Sequence, residues 1–146
     1  MHFFNPALMM NLVEVVQGYH TSTETAQITM DLCKVMGKSG AWLKKEIYGF
    51  LVNRILSAIL QEALFLAEMG IATPAEIDMA VTNALGHPIG PFRLMDFTGI
   101  DLSYYIAMER YQQTRDNKDK PSPLIIQKYV KGEFGRKTKR GFYSYE

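Results

Sequence analysis

The chain has 146 residues, of which 47% are hydrophobic and 21% charged, with a formal net charge of +1. This composition is typical of a globular protein with a core of its own, and the near-zero charge gives no strong attraction to nucleic acid or to an anionic membrane. The single cysteine, Cys33, excludes an internal disulfide; a reducing compartment is therefore expected, and its apolar helical surroundings predict a packing role rather than a reactive one.

The N-terminal part of the chain has the pattern of the end of an α/β unit. Residues 2–4 and 11–17 are short, apolar or β-branched segments that predict strands. The segment Thr21-Ser-Thr-Glu24 is a capping-box signature and predicts a helix over 22–36. A further strand is predicted over 40–46. Two or three strands and one helix cannot cover both faces of a parallel sheet, so this part is not a complete domain.

From Gly49 onward the pattern is almost entirely helical. GFLVNRILSAILQEALFLAEMG predicts a helix of about 20 residues. The segment is apolar nearly all round, which predicts a central, buried helix, and its internal charges exclude a membrane-spanning segment. A second capping box at Thr73-Pro74-Ala-Glu76 predicts the start of the next helix, which runs to about Leu85.

The rest of the chain predicts three more helices, over about 92–97, over about 101–114 after a break at Gly99, and from Ser122-Pro123 to about Lys131. The polar residues 115–121 predict a surface linker. The fold class is therefore mainly α, and the chain is predicted to divide into domains at 1–46 and 47–146.

The C-terminal segment is first basic and then aromatic. Four of the five residues from Arg136 to Arg140 are basic, which fits either a solvated tail or a phosphate contact. The aromatic residues that follow, Phe142, Tyr143 and Tyr145, are predicted to pin the tail to the core.

The sequence contains no G-x-G-x-x-G, P-loop, C-x-x-C or H-E-x-x-H pattern, and its three histidines are too widely spread to argue for a metal site. What remains is His2 with Glu14. If strands 2–4 and 11–17 lie side by side, both side chains can project from one face of the sheet. Histidine suits general acid–base chemistry, and a carboxylate that accepts its second ring N–H fixes the tautomer. The alternative is a frayed terminal His2 and a solvent-facing Glu14.

Asn53 is the third candidate, because it is a polar residue in the first turn of an otherwise apolar helix. A buried amide without a partner costs about 1–3 kcal/mol, so Asn53 needs one. A substrate carbonyl, His2 and the nearby backbone are the three alternatives.

Several segments resemble one known family. HFFNPALMMNLVEVV resembles the segment that holds the active histidine of the 3-hydroxyacyl-CoA dehydrogenases. GFLVNRILSAILQEALFLAEMG is similar to that family's long helix, with its G-F-x-x-N-R start, and GHPIGPFRLMDFTGID to its G-x-P-x-G-P-x-x-L-x-D-x-x-G-x-D signature. SPLIIQKYVKGEFGRKTKRGFYSYE is similar to its C-terminus. The resemblance covers essentially the whole chain, with the motifs in the family's order.

The resemblance implies a helical C-terminal dehydrogenase domain preceded by the last strands and helix of a Rossmann-type α/β domain. It implies that His2 is the general base or acid, Glu14 its orienting partner and Asn53 a polarising or positioning amide. Asn5 and Lys137 match positions that contact the nicotinamide cofactor. The implied reaction is reversible hydride transfer between NAD and carbon 3 of a (3S)-3-hydroxyacyl-CoA such as 3-hydroxybutyryl-CoA, in fatty-acid or butanoate metabolism.

The sequence departs from the family pattern at two positions within these motifs. Tyr48 stands where the family often has proline, and Lys139 stands where its K-T-G tail has glycine. If position 139 requires a positive φ, lysine there costs about 1 kcal/mol or more and displaces Lys137.

The largest departure is that no nucleotide-binding fingerprint precedes HFFNP. We therefore expect a C-terminal piece of a longer protein that is inactive by itself and located in the cytoplasm, or in the mitochondrial matrix of a eukaryote. The resemblance implies a homodimer through the helical domain, and open edges on strands 2–4 and 11–17 would allow strand exchange between copies. The alternative function is a non-enzymatic structural or dimerisation module, as in the lens crystallins related to this family.

Overall fold

A three-stranded sheet with one helix against it forms the N-terminal part of the computed structural model, which describes residues 1–146. Its elements are β1 (His2–Phe3), β2 (Leu12–Val16), α1 (Thr23–Val35) and β3 (Ser39–Leu43). The strand order is β1-β2-β3, in which β1 is antiparallel and β3 parallel to β2. Since β2 is paired on both sides, the prediction that residues 11–17 have an open edge is wrong. The open edges belong to β1 and β3.

The core of this sheet lies between β2 and α1. Val13, Val15 and Cys33 are buried together, and Met30 packs against them. This position confirms the predicted packing role of Cys33. Side chains alternate between the two faces of a strand, so Glu14 lies on the face of β2 opposite to Val13 and Val15.

Helix α1 and its cap each begin one residue later than predicted. The cap is Ser22, whose hydroxyl accepts the backbone N–H of Thr25 at 3.0 Å. Thr21 instead closes a turn by donating its N–H to the carbonyl of Gly18, so the predicted Thr21–Glu24 capping box does not form. Both hydroxyl residues can cap a helix, and the turn at Gly18 leaves that role to Ser22.

Five further helices follow: α2 (Val52–Glu68), α3 (Pro74–Leu85), α4 (Pro91–Thr98), α5 (Ile100–Thr114) and α6 (Pro123–Val130). The mainly α class predicted from sequence is confirmed. The Thr73 capping box forms with Glu76, and Gly99 separates α4 from α5 at a φ of +108°, both as predicted. None of the helices is long and apolar enough to cross a membrane.

The chain divides into two compact units, Met1–Ser57 and Ala58–Glu146. The core of the second unit is built around Phe92, Met95 and Ile100, which are completely buried, with Ile125 from α6 beside them. The domain boundary at residue 46 stays a prediction.

The prediction that α2 is buried on all sides is wrong. Within α2 only Ala63 and Leu64 are buried, whereas Ile55 and Phe65 are more than half exposed. One stripe of the helix packs on the core, and the other apolar side chains of α2 are only partly buried or exposed.

The segment 115–121 is also more than a surface linker. It contains a 3-10 turn, Asn117–Asp119, and Asp119 is buried. The carboxylate of Asp119 forms an ion pair with Arg110 at 2.7 Å and accepts the hydroxyl of Thr114 at 2.7 Å. These bonds anchor the turn to α5.

The C-terminal tail is held by two buried carboxylates. Asp96 accepts the backbone N–H groups of Phe142 and Tyr143 and the hydroxyl of Tyr145, each at 2.9 Å. Asp78 accepts the hydroxyl of Tyr143 at 2.8 Å. Burial, and then the bond to Asp96, raises the pKa of Tyr145 to about 12. The predicted pinning of the tail by its aromatic residues is confirmed.

Candidate active site

His2 and Glu14 face each other across the β1–β2 pair. Their Cα atoms are register partners, and Nδ1 of His2 lies 2.8 Å from Oε2 of Glu14. The Glu14 side chain is completely buried and that of His2 is 30% exposed. An ionised carboxylate only accepts hydrogen bonds, so the neutral imidazole carries its proton on Nδ1 and leaves the Nε2 lone pair free. Neither the frayed histidine nor the solvent-facing glutamate of the alternative interpretation is present.

The second oxygen of Glu14 holds the start of α2. Its Oε1 accepts the backbone N–H groups of Leu51 and Val52, both at 2.9 Å. These amides lie where a helix has no intrahelical acceptors and where its dipole is positive, so they stabilise a negative charge. Three donors, counting His2, therefore compensate the complete burial of the Glu14 carboxylate. Sequence reasoning missed this connection.

Two aromatic rings flank the imidazole of His2. The ring of Phe4 meets it edge-to-face with centroids 4.8 Å apart, and the ring of Phe50 lies 5.1 Å away at an interplanar angle of 51°. Sequence reasoning missed both contacts. The glycine before Phe50 indicates an unusual backbone conformation at the start of the long helix, but it does not indicate the contact with His2.

Asn53 lies in the first turn of α2, one residue after Val52. Its side chain is exposed and contacts neither His2 nor Glu14, so the expectation of a buried amide is wrong. No side-chain hydrogen bond to the nearby backbone is formed either. An exposed amide is hydrated and needs no partner in the protein, so the positioning role of Asn53 stays a prediction.

The two residues predicted to contact the cofactor, Asn5 and Lys137, lie in different compact units. Asn5 lies in the loop after β1 with its side chain exposed and without a partner. Lys137 belongs to the second unit, where its ammonium group pairs with the carboxylate of Asp101. Lys139, two residues later, has a φ of +59°, so this position does adopt the backbone conformation that favours glycine.

Most of the basic tail is already engaged within the chain. Arg140 pairs with Glu133 at 3.1 Å, and the guanidinium group of Arg136 lies 5.3 Å from the ring centre of Phe97. With Lys137 paired as well, only Lys139 has no partner among the four basic residues. This arrangement favours the solvated tail over a phosphate site.

A cleft of about 350 Å³ lies beside the start of α2. Its lining combines apolar side chains with three cationic ones, and Phe50 is part of that lining. Phe50 therefore lines the cleft and also contacts the His2 ring. No group of three or more His, Cys, Asp or Glu side chains is placed to hold a metal ion.

Two family models match the chain. The model described as "3-hydroxyacyl-CoA dehydrogenase, C-terminal domain" matches residues 49–145, and the model described as "3-hydroxyacyl-CoA dehydrogenase, NAD binding domain" matches residues 1–47. Together they account for nearly the whole chain.

Individual relatives agree with these models. The chain is 42% identical to a probable 3-hydroxybutyryl-CoA dehydrogenase of Bacillus subtilis, over 100% of this chain and 50% of that protein. It is 38% identical to the mitochondrial hydroxyacyl-coenzyme A dehydrogenase of Homo sapiens, over 100% of this chain and 46% of that protein. Its structure matches the (S)-3-hydroxybutyryl-CoA dehydrogenase PaaH1 from Ralstonia eutropha with a TM-score of 0.91 and 39% identity, over 100% of this chain and 51% of that one. The chain thus spans about half the length of the relatives it matches.

Proposed function

This chain belongs to the 3-hydroxyacyl-CoA dehydrogenase family, and from that premise we propose that it carries the acid–base half of an NAD-dependent oxidoreductase. The reaction is hydride transfer between NAD and carbon 3 of a (3S)-3-hydroxyacyl-CoA such as 3-hydroxybutyryl-CoA. The observation that carries the proposal is the hydrogen bond between His2 and the buried Glu14, because it leaves Nε2 of His2 as a free base. The assignment to fatty-acid or butanoate metabolism is part of the proposal.

His2 moves the proton of the reaction. In the oxidising direction Nε2 takes the proton of the substrate hydroxyl while the hydrogen on carbon 3 leaves with its electron pair, and a carbonyl forms. In the reducing direction the imidazolium returns that proton. The imidazolium is stabilised by Glu14, whose negative charge is itself held by the two amides at the start of α2.

Asn53 is proposed to position the substrate. Its exposed side-chain amide has no partner in the chain and follows directly after the helix start that Glu14 fixes. A free amide at that point can donate to a carbonyl oxygen of the substrate. This contact would polarise the carbonyl and hold the reacting carbon beside His2.

The residues present fit the nicotinamide end of NAD but not its pyrophosphate. The free amide of Asn5 suits the nicotinamide carboxamide, and Lys137 offers a cation that Asp101 already holds. The pyrophosphate of a dinucleotide is bound by a glycine-rich turn, and the 146 residues contain no G-x-G-x-x-G. When bound, NAD supplies the hydride acceptor. We therefore expect weak NAD binding and no turnover by the 146-residue chain itself.

The test is a chimera in which the part of the Bacillus subtilis relative not covered by the match is placed before Met1. With 3-hydroxybutyryl-CoA and NAD the chimera is expected to produce NADH, measured by absorbance. His2→Gln should lower kcat about 10²- to 10⁴-fold, because it removes the general base. The matched control is His20→Gln, an exposed histidine of the same unit, which should leave kcat unchanged.

Two results would contradict the proposal. One is a His2→Gln chimera with the parent's kcat, which would remove His2 from the chemistry. The other is a folded chimera that binds NAD but does not turn over, which would favour the structural-module alternative.

We also propose that the chain forms a homodimer through its helical part. Exposed apolar side chains lie at helical spacing on two helices that pack together, Leu102, Tyr105 and Ile106 on α5 and Ile126 and Val130 on α6. Such a strip suits a second copy of the same surface. Sedimentation equilibrium should show a dimer that Ile106→Glu dissociates; a monomer at all concentrations would contradict this proposal.

A further inference from the structure

We infer that Phe50 is a positioning residue for His2, whose ring keeps the imidazole bonded to Glu14. This inference rests on the proposed role of His2 and names a further side chain on which that role depends. It starts from the backbone. Phe50 has a φ of +47°, a conformation that glycine adopts freely and that a residue with a Cβ adopts only against steric resistance.

The strain at Phe50 lies next to reactive groups. The two residues after it, Leu51 and Val52, are those whose amides bind Glu14. Phe50 itself closes the preceding turn by donating its N–H to the carbonyl of Ile47 at 3.0 Å. The left-handed residue thus lies where the chain turns to direct two amides at the carboxylate. A glycine would serve that purpose without strain, so the backbone alone does not account for a phenylalanine here.

The phenyl ring of Phe50 gives a reason for phenylalanine at this position, because it contacts the imidazole of His2. Glu14 contacts the imidazole through a single hydrogen bond at Nδ1. The rings of Phe50 and Phe4 pack against the imidazole ring as a whole. They restrict the rotation that would break the bond to Glu14. Phe50 also lines the cleft, so one ring contacts both the cleft and the imidazole.

The quantity that reports this role is the tautomer of neutral His2. As long as Glu14 accepts from Nδ1, the proton stays on Nδ1; each opening of that bond lets it move to Nε2, where the free base is lost. The ¹⁵N chemical shifts of the ring nitrogens distinguish the two forms. They can be measured on the histidine-labelled 146-residue chain well above pH 7, with signals assigned by His20→Gln and His87→Gln.

Two substitutions separate the ring from the backbone strain. Phe50→Ala removes the ring and keeps a Cβ at positive φ, whereas Phe50→Gly removes both. Both are expected to raise the Nε2–H fraction about threefold or more, the change expected when one aromatic pair contact is lost. Phe50→Gly should nevertheless be more stable than Phe50→Ala, with an unfolding equilibrium constant about fivefold smaller.

Two controls complete the series. Phe50→Tyr keeps the ring and should keep the wild-type tautomer. Phe3→Ala removes a ring from the same strand as His2 that makes no contact with the imidazole, and it should also leave the tautomer unchanged. In the chimera, Phe50→Leu should lower kcat without raising KM for the acyl-CoA.

The inference is overturned if Phe50→Gly keeps the wild-type tautomer, because the ring would then be incidental to a backbone turn. If Phe50→Ala does not fold, Phe50→Gly and Phe50→Leu give the same comparison. The tautomer is measured without substrate or cofactor, so an inactive chimera would count against the proposed function and not against the role of Phe50.

Discussion

Replacing Glu14 with glutamine tests the centre of the site, because glutamine keeps the shape and removes the charge. Two orientations of the new amide are available. If its oxygen continues to accept from Leu51 and Val52, its NH₂ group faces Nδ1 of His2. Nδ1 must then accept, which moves the imidazole proton to Nε2 and abolishes the free base.

The opposite orientation keeps the His2 tautomer but turns the NH₂ group toward two backbone donors. A buried donor left without an acceptor costs about 1–3 kcal/mol, so these two part-buried donors together cost up to about 2–6 kcal/mol. The first orientation is therefore favoured, and it predicts a chain that folds with the wrong tautomer. Losing the charge in three hydrogen bonds, at about 1 kcal/mol each, predicts a destabilisation of about 3 kcal/mol.

Urea unfolding of the 146-residue chain measures the free energy of unfolding, and the chimera measures kcat, which should fall about 10²- to 10⁴-fold. Glu24→Gln is the matched control, because Glu24 is an exposed glutamate in the first turn of α1 and the substitution removes the same charge. Glu14→Gln that changes neither the stability nor kcat relative to this control would refute the reasoning.

Three other predictions concern the second unit. Lys139→Gly should raise the free energy of unfolding by about 1 kcal/mol in urea, because glycine relieves the φ of +59°; an unchanged value would contradict the assigned strain. Asp96→Ala should destabilise the chain by about 3 kcal/mol, because three donors lose their acceptor, and hydrogen exchange should then be fastest in residues 141–146; exchange unchanged there would contradict the pinning. The raised pKa of Tyr145 means that the folded chain keeps its phenol proton to a higher pH than the unfolded chain, so stability should fall as pH rises from about 10 to about 12. Tyr145→Phe should reduce that fall in stability.

The two helix caps show which local signals fix a helix start. At Thr73 the prediction was right because Pro74 follows it, and proline at the first helical position leaves one register. At Thr21 no proline follows, and adjacent hydroxyl residues offer two registers. The turn at Gly18 decided between them, and the pattern of hydroxyl and carboxyl residues does not contain that turn.

Periodicity predicted that α2 is apolar but not what covers it. A helix with apolar residues on several faces is buried only where neighbouring elements exist, and this chain covers one stripe. The same gap explains Asp119. A polar run favours the surface, and only the positions of Arg110 and Thr114 in space show that its carboxylate is buried.

At the site, strand alternation allowed His2 and Glu14 to share a face only if their strands pair, and the family resemblance, not the strand pattern, favoured this arrangement over a frayed His2 and a solvent-facing Glu14. Once two strands pair, the hydrophobic pattern and the turn between them set the register, which decides the residues that face each other. The bonds from Glu14 to the start of α2 join residues more than 35 positions apart, and no local pattern indicates them. The contact of Phe50 with His2 is missed for the same reason.

The attachment of one carboxylate to both a strand histidine and a helix start limits how this dyad could be grafted into another scaffold. Copying β1 and β2 alone would place Glu14 in the new protein without the Leu51 and Val52 amides that compensate the burial of its carboxylate. The smallest segment set that could be moved to another protein is the antiparallel β1–β2 pair, the Gly49-Phe50 turn and the first turn of α2. A recipient fold must offer all three in one place, which narrows the choice of hosts to sheets with a helix N-terminus directed at their open face.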